Sequence, residues 1–318
     1  MTSISREDNK KKELYLYGPV PSRRLGFSLG IDILPFKTCS FDCIYCQLGP
    51  TPKKTIRKKK YFSADTIMSA IQDSLSTGKK IDYITFSGSG EPTLNLLIGH
   101  LIQRIKRITN IPVAVLTNSS LMMLQTVRNA LKRADLVVPS LDAATQKIFE
   151  KTNQPHPSIQ IRDIINGLIQ FRREFKGKMW LEVMLVEGVN DSPAHIKKLK
   201  EAIHAIEPDK VQLNTVVRPP AQKTARPLSK RRLEEIRSQI GDLCEIVADF
   251  PKGEQVKTIE NLADSIISVV KRRPVTISDL SDILGRHKNE VIKSVNFLLR
   301  EKKIRQVRHE NKIYYEPD

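Results

Sequence analysis

Three of the four cysteines in this 318-residue chain stand within CSFDCIYC (39–46), at the spacing C-x3-C-x2-C. Thiolates this close together are metal ligands in waiting, yet the set is one short. A structural zinc site takes four protein ligands, and a disulfide framework takes an even number of cysteines. Three thiolates can hold three irons of a [4Fe–4S] cluster and leave the fourth iron open to a substrate or cofactor. The spacing alone leaves one alternative, a zinc loop completed by a distant histidine, although the six histidines are scattered.

A second constellation is SGSGEPTL (87–94), where glycines let the backbone approach a ligand closely and Glu91 offers a carboxylate to donors. Weaker candidates are Asn118 and Ser119 in LTNSS, Ser140 and Asp142 in PSLDA, and Asn214 in VQLNTVV. Each of these also suits a helix cap or a turn. Glu182 and Met184 are further candidates for a site wall, and the arginines of PSRRLG (21–26) suit carboxylate or phosphate recognition. Cys244, among Leu243, Ile246 and Val247, reads as a small buried hydrophobe.

These candidates fall at the ends of β-rich runs. LGIDIL (29–34), IDYITF (81–86), VAVLT (113–117), LVVPSL (136–141), MWLEVMLV (179–186) and KVQLNTVV (210–217) read as strands separated by helical segments. Near-continuous apolar runs with helical crossovers mean parallel strands buried on both faces. Six such units suit an open doubly wound sheet or a partial β/α barrel, and in either the active site sits at the C-terminal ends of the strands. After about residue 258 the pattern changes to helices over 261–271, 278–284 and 289–302, then a hairpin over 304–317. Three helices and a β-wing make a winged helix.

The whole chain narrows the function classes. The N-terminal MTSISREDNKKKE is polar, and no run approaches the ~20 apolar residues of a membrane span. With its clustered cysteines the chain is expected in the reducing cytoplasm, without a membrane partner. Lysine and arginine outnumber acids 53 to 35, a net charge of +18, which points to a polyanionic partner. Six basic residues and no acid occur in each of TPKKTIRKKK (51–60) and VVRPPAQKTARPLSKRR (216–232).

The cysteine loop, with aromatic Tyr45 before its last cysteine, resembles the signature of the radical S-adenosylmethionine (radical SAM) superfamily, and the likeness extends over roughly residues 15–250. Its flanks, YGPVPSRRLGFSLGIDILPFKTCSFDCIYCQLG, are similar to a subgroup related to the tRNA wyosine synthases. The resemblance implies a partial (β/α)6 TIM-like barrel over 1–257, and the helix and hairpin pattern a winged helix-turn-helix domain over 258–318. It implies a [4Fe–4S] cluster on Cys39, Cys43 and Cys46, whose open iron takes the methionine part of SAM. One electron then cleaves SAM to methionine and a 5′-deoxyadenosyl radical. Gly90 and Glu91 correspond to the family's GGEP motif, with Ser89 separating the glycines. Asn118, Ser119, Ser140 and Asp142 fall where family members bind the ribose and methionine, and Asn214 matches an asparagine that contacts the nucleoside. RNA or tRNA is the implied substrate, and a low-potential donor such as flavodoxin or ferredoxin the implied reductant. The wyosine synthases carry cysteines for a second cluster, whereas only Cys244 is left here, which puts wyosine formation itself in doubt. Two other readings stand: a nucleic-acid-binding regulator whose cluster senses redox state, and a maturation enzyme acting on a protein.

Overall fold

The computed structural model describes residues 15–22, 24–247, 262–286, 288–310 and 312–318. The polar N-terminus, Arg23, the 257/258 boundary, Asn261 and His287 lie outside the described residues.

Eight strands form one sheet in sequence order. Strands β1 (Leu16–Ser22) and β2 (Gly26–Ile31) pair antiparallel, with a register shift between Tyr17 and Val20. From β2 onward every pairing is parallel, through β3 (Tyr83–Phe86), β4 (Val113–Thr117), β5 (Leu136–Pro139), β6 (Lys178–Leu185), β7 (Lys210–Thr215) and β8 (Cys244–Ile246). The crossovers are α1 (Ala64–Ser76), α2 (Ile98–Ile108), α3 (Gln125–Leu131), α4 (Gln146–Asn153) with α5 (Ile161–Glu174), α6 (Pro193–Ile206) and α7 (Lys230–Ile240). Helix α2 shows why they pack: Ile98, Leu101, Ile102 and Ile105 recur at helical spacing and are buried, while Lys106 and Arg107 face outward. The strands supply the other half of the core, with Ile84, Phe86, Val113, Val115, Leu181 and Leu213 fully buried.

This is an α/β fold with a mostly parallel TIM-like sheet, but its strands differ from the six expected. The first parallel strand is Gly26–Ile31 rather than 29–34, since its pairing with β3 ends at Ile31 and Ile33 and Leu34 are buried beyond the ladder. Strand β1, interrupted by Gly18 and Pro19, and the three-residue β8 are additions.

The last described stretch contains α8 (Leu262–Val270), α9 (Ile277–Leu284), α10 (Lys288–Arg300) and the antiparallel pair β9 (Ile304–His309) and β10 (Lys312–Pro317). Thr276 caps α9 through a reciprocal box with Asp279, and Gly285 ends it at φ 58°. Ile266, Val270, Leu280, Val291, Val295 and Leu298 share a separate core, whereas Ile292 is exposed. Val20 of β1 packs against that core, Arg218 Nε donates to Pro274 O at 3.2 Å and the Tyr314 hydroxyl to Val217 O at 2.7 Å. No described helix is long and apolar enough to cross a membrane.

Candidate active site

The cysteine loop leaves the C-terminal end of β2 and is zipped to the loop that leaves β3. The Lys37 amide donates to Ser89 O at 2.7 Å, and the Glu91 amide to Thr38 O at 3.0 Å. Gly90 makes this approach feasible, since a Cβ there would lie 2.0 Å from the Thr38 carbonyl oxygen. Gly88, at φ +148°, rests against Asp32, whose carboxylate accepts from the Ser89 amide at 2.9 Å and the Ser89 hydroxyl at 2.5 Å.

Each of the three cysteine sulfurs has an N–H donor aimed at it. Lys37 Nζ is 3.1 Å from Cys46 Sγ, Asn118 Nδ2 is 3.5 Å from Cys39 Sγ, and Asn153 Nδ2 is 3.4 Å from Cys43 Sγ. Donors aimed at sulfur favour thiolates over thiols. Lys37 is itself buried, which strengthens its attraction to a thiolate. Burial pushes the Cys39 thiol up to about 12 and Cys43 well above its ordinary value. Among the described residues no three His, Cys, Asp or Glu side chains converge as the ligands of one metal ion would. Three cysteines that bind three different irons of a cluster fit this arrangement.

Glu91 is fully committed inside the protein. Its Oε1 accepts from the Thr93 amide at 3.0 Å, the Thr93 hydroxyl at 2.5 Å and the Thr117 hydroxyl at 2.7 Å, while Oε2 accepts from the Asn118 amide at 2.6 Å. Four donors thus meet this carboxylate, three of them on Oε1 and one on Oε2. Desolvation pushes its pKa up while these bonds pull it down. Glu91 therefore ties the end of β4 to the glycine loop.

Asp142 does the equivalent for the cysteine loop. It accepts from the Tyr45 hydroxyl, from Asn153 Nδ2 at 2.7 Å and from the Met184 amide at 2.8 Å. Burial raises its pKa to about 6, against the pull of the Tyr45 and Asn153 bonds. The aromatic residue before Cys46 is thus fixed by a buried acid, and the same acid orients the amide that reaches Cys43. Ser119, fully buried at φ 67°, donates to Ser140 O at 2.8 Å.

A cavity of about 420 Å³ opens at the C-terminal ends of the parallel strands. Cys39 and Cys46 line it together with Gly90, Glu91, Asn118, Ser140 and Asn214. Cys43, Ser119 and Asp142 lie outside that lining, Ser119 and Asp142 buried behind it. Asn214 Nδ2 is 3.3 Å from Glu182 Oε1, which also holds Arg24 Nη1 at 3.0 Å, so one arginine of PSRRLG does enter the cavity wall. The sequence did not single out Lys37 or Asn153, nor Tyr17, whose hydroxyl meets Ser87 Oγ at 2.5 Å. Only Lys37, two residues before the first cysteine, carries a local signal. Cys244 is buried on β8, and His195 is buried at the start of α6.

A parallel β/α sheet with three cysteines at the end of its first parallel strand defines a class, and the chain belongs to the radical SAM superfamily, whose profile matches residues 33–199. It is 31% identical over 306 residues to the UPF0026 protein of Methanocaldococcus jannaschii, covering 94% of each chain. It is 39% identical over 308 residues, 95% of its length, to a protein named GTPase Obg in Brachyspira hyodysenteriae, and spans 45% of that longer relative. The fold is shared with Streptococcus suis SuiB, crystallised with S-adenosylmethionine, at a TM-score of 0.53 and 15% identity over 76% of this chain and 53% of that one. A [4Fe–4S] cluster and S-adenosylmethionine are the cofactors that members of this family bind.

Proposed function

We propose that this protein is a radical SAM enzyme, with its cluster on Cys39, Cys43 and Cys46 and its SAM along Gly90, Asn118, Ser140 and Asn214. One observation carries the reading: three sulfurs, each met by an N–H donor, share a site with a glycine loop bonded directly to the cysteine loop. The cluster, when bound, supplies the electron for reductive cleavage of SAM, drawn from a low-potential donor such as flavodoxin or ferredoxin. The chain's own residues position and enclose. Lys37, Asn118 and Asn153 hold the thiolates, Asp142 orients Tyr45, and Glu91 keeps the Ser89–Gly90 backbone against Thr38. A redox-sensing regulator has no use for so many polar strand ends around one cavity.

RNA, tRNA included, is the substrate class this reading favours. The net charge of +18 supports it, as do the exposed Lys53, Arg57, Lys59 and Lys60 of the segment whose Thr55 amide donates to Cys39 O at 2.9 Å. The helices α8 to α10 with the β9–β10 hairpin fit a winged helix following a core domain that ends near residue 257. The relation to wyosine synthases would be one of ancestry, since the fourth cysteine is buried on β8 away from the cavity lining. Four free cysteines suit a reducing compartment such as the cytoplasm. The test is anaerobic reconstitution with iron and sulfide, reduction, addition of SAM, and assay of 5′-deoxyadenosine. Formation of that product is expected; one zinc per chain with no iron uptake would sink the reading.

A further inference from the structure

The sheet does not enclose the cavity by itself. Val269, Arg272 and Arg273, at the end of α8 and in the turn after it, line the same space as Cys39, Cys46 and Gly90. Tyr17 of β1 connects that C-terminal wall to the glycine loop. It stands opposite Gly30 in the β1–β2 ladder, and a Cβ at Gly30 would lie 2.0 Å from the Tyr17 Cζ. With no side chain at position 30, the ring lies directly on the β2 backbone. It crosses β2, and its hydroxyl stands 2.5 Å from Ser87 Oγ, just beyond the end of β3.

The C-terminal segment holds the ring in that pose. The Arg272 guanidinium lies 4.5 Å from the ring centroid, and Arg272 Nη2 donates to Leu16 O at 3.2 Å. One arginine thus grips both the ring and the backbone of its own strand. Burial raises the Tyr17 pKa, against the pull of the Ser87 bond and the Arg272 charge, so the hydroxyl stays protonated at neutral pH.

Ser87 is the first residue of the glycine loop. Its amide donates to Ile31 O at 3.2 Å, Ser89 is tied to Asp32, and Glu91 braces the far end against Thr117 and Asn118. The middle and end of the loop are therefore anchored within the core, while the Ser87 side chain is anchored through Tyr17. Tyr17, Ser87, Gly88 and Ser89 all line the cavity beside Gly90, so a shift at Ser87 alters the binding wall itself.

We propose that Tyr17 is a positioning residue for the glycine loop, held to that task by Arg272, so that the C-terminal helices set the affinity of the site for SAM. The hydroxyl orients Ser87, and the arginine acts through the ring. This rests on the radical SAM reading for the identity of the ligand, but the state of the loop is measurable without SAM.

Full-length protein, reconstituted anaerobically, is compared with Tyr17→Phe, Ser87→Ala and Arg272→Gln, and with Tyr17→Phe combined with each of the other two. The readouts are KM and kcat for 5′-deoxyadenosine formation at varied SAM, amide hydrogen exchange over 87–91 without SAM, and the unfolding midpoint. Tyr17→Phe keeps the ring and loses the hydroxyl. It should raise the KM for SAM about 3–10-fold, the worth of one hydrogen bond, with kcat within about twofold of wild type. Exchange over 87–91 should quicken by about the same factor. Ser87→Ala should match it, and the Tyr17→Phe/Ser87→Ala pair should lie within about twofold of either single variant, since both remove one contact. Arg272→Gln should raise KM in the wild-type background and add less than about twofold to Tyr17→Phe. An unchanged KM in Tyr17→Phe overturns the proposal, and so does a lowered midpoint with KM and exchange at wild-type values, the mark of a purely structural contact. An Arg272→Gln effect equally large in both backgrounds overturns it too, because the arginine would then act on the ligand directly. Wild-type protein that cleaves no SAM, while exchange over 87–91 still quickens in Tyr17→Phe, counts against the radical SAM reading and not against the coupling; unchanged exchange overturns both.

Discussion

Cys39 to Cys46 bring three sulfurs to the site from eight consecutive residues, whereas the wall carrying Tyr17, Arg272 and Arg273 joins segments up to 256 residues apart. The first wall is covalently local, and its geometry follows once the loop is pinned to Thr38, Ser89 and Asp142. The second exists only after the C-terminal helices have packed on Val20 and Arg218. Cofactor chemistry tolerates no change of spacing, so it is carried by a short motif. The second wall draws on elements far apart in the chain, so it leaves no motif.

The most severe way to probe the local wall is to remove a sulfur. Cys39→Ala, Cys43→Ala and Cys46→Ala should each abolish the iron-dependent absorbance after reconstitution, since two thiolates cannot hold the cluster that three hold. Cys244→Ala should keep full iron content, with a loss of about 1 kcal/mol of stability from the truncated core side chain. A single-cysteine variant with wild-type iron and sulfide would break the contrast, because the wall would then draw a ligand from elsewhere.

Glu91 comes next, because it belongs to a motif yet works as an internal brace. Glu91→Ala strips an acceptor from buried donors on Thr93, Thr117 and Asn118, each worth about 1–3 kcal/mol when left unpaired. The unfolding midpoint should fall clearly, and SAM affinity should fall with it. If Glu91→Ala loses SAM affinity at an unchanged midpoint, the carboxylate meets SAM directly and the brace reading is wrong.

Asn153 sharpens the comparison further, since it is a remote residue serving the local wall. It stands at the end of α4, 110 positions from Cys43, and its amide reaches both that sulfur and Asp142. Asn153→Ala should leave the cluster able to form but lose it to chelator about 10–100-fold more readily, the usual effect of an outer-shell partner. Loss at the wild-type rate would show that the sulfur has no need of the amide.

Which parts of this the sequence made legible follows from the same distinction. The cysteines and Gly90 are readable because their constraint is local: three ligands on one turn, and a backbone that must touch another. Parallel strands are readable from apolar runs such as VAVLT and MWLEVMLV. Strand β1 was hidden because Gly18 and Pro19 interrupt its period at the register shift, and β8 because three residues give no period at all. At the strand ends the polar residues were visible in the sequence, but their direction was not readable. Asn118 and Ser140 face the cavity while Ser119 and Asp142 are turned into the protein, and loop backbone such as Ser119 at φ 67° follows no alternation. Asn153, Tyr17, Arg272 and Arg273 acquire their places only through packing between distant elements.

The smallest effect expected concerns the basic segments, which look equivalent in sequence and are not in space. In 216–232, Arg218 is buried at the joint, and Arg231 and Arg232 are both bonded to Glu235, so half of its six cations are engaged internally. In 51–60, Lys59 and Lys60 are exposed on the segment that runs beside the cysteine loop. The stretch from Leu262 onward carries a net charge of only +4 against +18 for the chain. Charge reversal at Lys59 and Lys60 should therefore weaken tRNA binding about 3–10-fold and flatten its salt dependence, each lost phosphate contact removing about 0.7–0.9 from the log–log slope. Reversal at Lys302 and Lys303 should change affinity less than twofold. The reverse ranking would place the RNA on the C-terminal helices and hairpin, and the segment beside the cysteines would then be a solvated edge.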